Sequence, residues 1–123
     1  MADLPSPEPF YSLTRRAGDM LYLSGFGPVH DLQVVGADIA AQTQVTMDLM
    51  TETLTAEQIG WADVVRVNVF LLNMEDRDGF NEAYMRYFVG VPQMPTRRLV
   101  GAGDMYKGIL VEIDAIAYLG EPK

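Results

Sequence analysis

Between Asp63 and Leu72 the chain reads DVVRVNVFLL, a run that fits only an extended strand. Strand alternation sets Val65, Val67, Val69 and Leu71 on one face and Val64, Arg66, Asn68, Phe70 and Leu72 on the other. Both faces are largely apolar, so the sheet that holds this strand needs two covers. A chain of 123 residues builds one core. Its own helices can cover one face, and another copy of the chain is the expected cover for the second, which predicts a homo-oligomer.

The helical cover is legible upstream. Ile39, Thr43, Met47, Met50 and Leu54 recur at helical spacing from Asp38 to about Ala56, and Asp38 can cap the start. Gln42, Gln44, Asp48 and Glu52 fall mostly off that seam. A second helix is expected over roughly Glu75 to Phe88, with acids in its first turn and an apolar seam of Phe80, Tyr84, Tyr87 and Phe88. Before the first helix, Phe10–Arg15 and Met20–Ser24 read as two strands joined at Ala17-Gly18-Asp19. Ser24-Gly25-Phe26-Gly27-Pro28 reads as a break, and a short extended piece is expected around Leu32 to Val35. Residues 1–9, with three prolines, read as an extended lead-in. The order is strands, long helix, strand, helix, two strands. It predicts a single α+β domain over residues 1–123, a sheet with helices packed on one face.

Composition removes several kinds of chemistry. There is no cysteine, so thiol catalysis, disulfides and thiolate metal sites are excluded; the single histidine, His30, argues against a metal site. Nine basic against seventeen acidic residues give a net charge of -8, which argues against a nucleic-acid binder. No leader pattern and no run near the length of a membrane span is visible, so a cytoplasmic protein without membrane contact is expected.

Two charges stand inside apolar strand-like runs: Arg97 in Pro95-Thr96-Arg97-Arg98-Leu99-Val100, and Glu112 in Gly108–Ala117. A hairpin-sized turn could bring them side by side. An unpaired buried charge costs several kcal/mol, so such residues pair, reach solvent at an edge, or meet a ligand. Arg97 has two readings: a sheet salt bridge to Glu112 or Asp114, or a bidentate clamp on a carboxylate. Glu112 could handle a water or a proton.

Several pieces, in order and spacing, resemble the Rid (reactive intermediate deaminase) family, also called YjgF/YER057c/UK114. They are Tyr11-Ser12, Ala17-Gly18-Asp19, Ser24-Gly25, Gln42-Thr43, Asp63–Leu71, Met74 with Asp76, Phe80–Tyr84 with Tyr87-Phe88, Pro95-Thr96-Arg97 and Gly108–Ala117. The resemblance implies a chorismate-mutase-like α+β fold and a homotrimer with pockets at the subunit interfaces. It also implies hydrolysis of enamines and imines such as 2-aminoacrylate to 2-oxo acids and ammonia, with no cofactor. It places the carboxylate-binding arginine at Arg97 rather than Arg98 and the acidic residue at Glu112. Tyr11, Ser24 and Asn81, with backbone at Gly25 and Leu99, would bind substrate.

The chain departs from the family pattern at Phe26-Gly27-Pro28-Val29-His30, at Pro9-Phe10 and at Leu99. Phe10 and Phe26 would enlarge the apolar side of the pocket. A larger unsaturated amino acid such as 2-aminomuconate is therefore an alternative substrate. A non-catalytic trimer that binds small carboxylates is the reading outside enzymology.

Overall fold

A computed structural model of the chain describes residues 10–120, so the expected lead-in over residues 1–9 lies outside the described residues. Within them the order is β1 (Thr14–Ala17), β2 (Met20–Phe26), β3 (Val29–His30), β4 (Gln33–Val34), α1 (Ile39–Ala56), β5 (Val64–Leu71), α2 (Arg77–Met85), β6 (Thr96–Gly101) and β7 (Val111–Tyr118). Five strands form one sheet in the order β1-β2-β7-β5-β6, and β3 and β4 form a separate hairpin. Only the β5–β6 pair of the large sheet is parallel. Parallel neighbours need a crossover, and α2 supplies it.

Both helices pack on one face, as the two apolar seams predict. Met47, Met50 and Leu54 of α1 and Phe80 and Tyr84 of α2 meet Leu21, Leu23, Val67, Val69, Leu71, Ile113, Ala115 and Ala117 of the sheet in one buried cluster. Each large apolar side chain in it contributes about 1.5–3 kcal/mol by leaving water. Asp38 caps α1 as expected, its Oδ1 accepting from the Ala41 N–H at 2.9 Å. The expected second helix is present as α2, flanked by 3-10 turns at Met74–Asp76 and Arg86–Phe88.

The other sheet face carries Tyr22, Phe70, Val100, Glu112, Asp114 and Ile116. Arg66, Asn68 and Arg98 also stand on it, and Tyr22 and Val100 are 44% and 37% exposed, so this face mixes apolar and charged side chains and is open in a single chain.

Four local expectations are corrected. β1 starts at Thr14, not Phe10. β2 does not break at Ser24-Gly25; it continues to Phe26 through a bulge, with Leu23 opposite Ala115 and Phe26 opposite Ile113. The extra residue turns Phe26 into the core, where it is 1% exposed. A second bulge in β5 sets Val64 opposite Ala117 and Arg66 opposite Ile116. Val65 is therefore exposed, and Val64 takes the buried place expected for it. Last, β6 and β7 are not neighbours. β5 lies between them, because the crossover through α2 puts β6 at the sheet edge and leaves β7 to fill the centre.

Candidate functional site

That topology separates Arg97 from Glu112. Arg97 pairs in register with Val67, which pairs with Ala115; both partners are buried beneath the helices. Arg97 therefore lies on the helix-covered face. Glu112 pairs with Phe70 on the open face. The salt-bridge reading fails on this geometry. Asp114 is also on the open face, where its Oδ1 accepts from Asn68 Nδ2 at 2.7 Å. Among the described residues neither Arg97 nor Glu112 has an ion-pair partner.

Arg97 borders a cavity of about 370 Å³ between α2 and the start of β6, lined also by Asn81, Tyr84, Met85, Met94 and Pro95. Its guanidinium carbon stands 5.1 Å from the Tyr84 ring centroid and 5.7 Å from that of Phe80. Two π faces hold the cation in place without neutralising it. Burial pushes the Tyr84 phenol up to about 12 despite the adjacent guanidinium, so it stays protonated. Asn81 has a buried Oδ1 with no hydrogen-bond partner among the described residues. Leu99, two residues along the edge strand, is half-buried on the Arg97 face and lines neither this cavity nor the next.

Glu112 borders a second cavity of about 270 Å³ that it shares with Tyr11, Gly25 and Phe26. The β2 bulge makes room for its carboxylate. A Cβ on Gly25 would stand 2.6 Å from Glu112 Oε1, so only glycine lets the carboxylate lie against the strand there. Burial raises the Glu112 pKa above its ordinary 4.5, and Asp114 on the same face raises it further. Ser24, at the bulge, has a buried Oγ with no hydrogen-bond partner among the described residues. Of the expected site residues, Tyr11, Gly25 and Glu112 thus gather at one cavity with Ser24 at the adjoining bulge, while Asn81 and Arg97 gather at the other. Phe26 lines the first cavity as expected of an apolar pocket wall; Phe10 does not.

Gln42 was read as lying off the helix seam, yet it is 3% exposed. Its Nε2 donates to the carbonyls of Gly108 (2.9 Å) and Gly36 (3.2 Å), and its Oε1 accepts from the Leu110 N–H at 2.8 Å. One amide thereby ties α1 to the segment that enters β7 two residues before Glu112. Periodicity could not find it. The signal available was Gly36, whose positive φ of 112° and close approach to Gln42 leave no room for a Cβ. Leu13, Val29, Leu32, Val34, Tyr106 and Ile109 were also missed as lining of the Glu112 cavity, because the β3–β4 hairpin and the loop before β7 bring them together from distant positions.

Among the described residues no group of three or more His, Asp or Glu side chains could hold a metal ion, and no helix is long and apolar enough to cross a membrane.

The family model described as Endoribonuclease L-PSP matches residues 1–119. The chain is similar to protein DfrA of Myxococcus xanthus, 38% identical over 103 residues that cover 82% of this chain and 77% of that one. Among solved structures it is similar to E. coli TdcF with bound serine (TM-score 0.85, 25% identity, 96% and 94% of the two chains covered). The E. coli YjgF gene product superposes with a TM-score of 0.84 at 28% identity, again over 96% and 94% of the chains.

Proposed function

Since the chain belongs to the Rid (YjgF/YER057c/UK114) family, we propose that it is a cofactor-free hydrolytic deaminase. Its substrates are reactive enamines and imines that bear a carboxylate, of the 2-aminoacrylate type, and its products are 2-oxo acids and ammonia. The observation that carries this reading is the pair of half-sites. An unneutralised Arg97 borders one cavity and an unneutralised, partly desolvated Glu112 borders another, on opposite faces of one sheet. Neither half suffices alone. A neighbouring copy docked on the open sheet face brings the Arg97 half of one chain to the Glu112 half of the next, and a homotrimer does so three times. The cytoplasm is the setting this reading assumes.

In this account the Arg97 fork binds the substrate carboxylate through two parallel hydrogen bonds. Asn81, Tyr11, Ser24 and the backbone at Gly25 orient the rest. The enamine takes a proton at its terminal carbon and becomes the imine. Water then attacks the imine carbon while Glu112 accepts the proton it gives up, so the new C–O bond forms as the C=N π pair moves to nitrogen. Glu112 passes that proton to the nitrogen, and as the carbinolamine C–N bond breaks and ammonia leaves, Glu112 takes the hydroxyl proton. The oxygen closes to the 2-oxo carbonyl, and the proton returns to the solvent that supplied the one added to the enamine carbon. A carboxylate with a raised pKa is a better base near neutral pH than an ordinary one, and such acid–base help is worth about 10²–10⁴-fold.

The family description names an endoribonuclease. A net charge of -8 supports the small-carboxylate reading over RNA, whose phosphates need a basic surface. The serine bound to TdcF, itself an amino acid with a carboxylate, favours a second reading in which a trimer binds such molecules without turnover. Generating 2-aminoacrylate with a serine dehydratase and following pyruvate release tests the proposal. Release accelerated by the wild type but not by Arg97→Ala is expected; equal rates for the two proteins contradict it. Calorimetric binding of serine or pyruvate with no acceleration selects the second reading.

A further inference from the structure

The cavity beside Glu112 is larger and more apolar than a methyl-sized substrate needs. Leu13, Phe26, Val29, Leu32, Val34 and Ile109 line it, and among the described residues Glu112 is its only charged lining residue. Phe26 and Ile109 form a buried floor, 1% and 5% exposed.

Leu32 is the informative residue. It sits at the tip of the β3–β4 hairpin with φ 66°, next to Asp31 with φ 51°. Two positive φ values in a two-residue hairpin turn favour Asn-Gly or Asp-Gly, and a branched apolar residue there is disfavoured. Leu32 is also 69% exposed, so it gains little from burial. Folding does not account for a leucine at this position. The hairpin holds it at the mouth of the cavity, where an apolar ligand would cover it.

We propose that this cavity is a subsite for an apolar side chain, and that the preferred substrates are 2-imino or 2-enamino acids with branched aliphatic tails. The inference rests on the deaminase reading for the reacting head group. It runs against a dicarboxylate such as 2-aminomuconate at this subsite. A second carboxylate would lose its hydration among aliphatic side chains, beside Glu112 and with no lining cation among the described residues to meet it.

Imines made in place by amino-acid oxidases from leucine, alanine and glutamate share one head group and differ in tail: isobutyl, methyl and carboxyethyl. Their hydrolysis is read as suppression of semicarbazone formation. The corresponding 2-oxo acids (4-methyl-2-oxopentanoate, pyruvate and 2-oxoglutarate) report the subsite by calorimetry without any turnover. The isobutyl compounds are expected to lead the methyl ones by at least about tenfold in both kcat/KM and affinity, with the carboxyethyl ones last. Leu32→Asn suits the positive φ, so its thermal midpoint should not fall, while the isobutyl-to-methyl ratio should. A tenfold binding preference with no turnover of any imine supports the subsite and overturns the deaminase reading. Flat ratios, or a lead for the carboxyethyl compounds, overturn the subsite whether or not imines are hydrolysed.

Discussion

Arg97 and Glu112 occupy opposite faces of one sheet, with the whole of β5 between their strands. No side-chain rotation within one chain brings them together. In the proposed mechanism, a carboxylate held by one and a water activated by the other require two copies, and the open sheet face is where a second copy would dock.

The β2 bulge should matter to activity more than to folding. Gly25→Ala puts a Cβ where Glu112 Oε1 now lies, 2.6 Å away, and the flexible carboxylate moves to admit it. Stability is expected to change by less than about 1 kcal/mol. Imine hydrolysis should fall by about tenfold or more, since a displaced base loses its alignment with the attacking water. Thermal melts and steady-state rates on the same preparation read both effects.

Glu112 should also leave a signature in pH dependence. Its folded pKa lies above 4.5 because burial and Asp114 oppose its charge. The folded state then holds the proton more tightly than the unfolded chain, so this group's contribution to stability falls as pH rises from 4.5 through the folded pKa. Glu112→Gln removes that loss. The variant is expected to equal or exceed the wild type in stability at pH 7, with the difference fading below about pH 4.5. In the wild type the acid limb of kcat/KM should lie above 4.5. Denaturant melts across pH and a pH–rate profile measure the two.

Gln42 uses both N–H donors and its carbonyl on three backbone groups. Gln42→Leu strands the Leu110 N–H and two carbonyls, with an expected cost of at least about 2 kcal/mol. Because Leu110 precedes Glu112 by two residues, Gln42→Leu protein that still folds should lower kcat more than it raises KM. Denaturant melts and initial rates separate the loss of fold from the loss of alignment.

Much of this was legible in the sequence, and the failures share a cause. Val67, Val69 and Leu71 alternate as read, and the seam Thr43, Met47, Met50 and Leu54 is buried as read. Val65 was misplaced because a bulge adds one residue and reverses every facing before it. Ser24-Gly25 read as a strand end because glycine marks both breaks and bulges, and only the pairing with β7 tells them apart. Arg97 and Glu112 stood out as charges in apolar strands. Their placement on opposite faces did not, because strand order is set by the α2 crossover and not by the short loop between β6 and β7. Gln42 was invisible to periodicity, since a buried amide and a solvated one look alike until its backbone partners are in place.

Mixing two inactive variants tests the shared site most directly. Arg97→Ala keeps an intact Glu112 half, and Glu112→Gln keeps an intact Arg97 half. If the site forms between copies, co-refolding equal amounts rebuilds complete sites wherever the two variants meet in the right order. About one quarter of wild-type activity is then expected for random assembly, because each half is intact in half of the chains. Mixtures that exchange subunits, as shown by mass, yet stay as inactive as either variant alone would contradict the account.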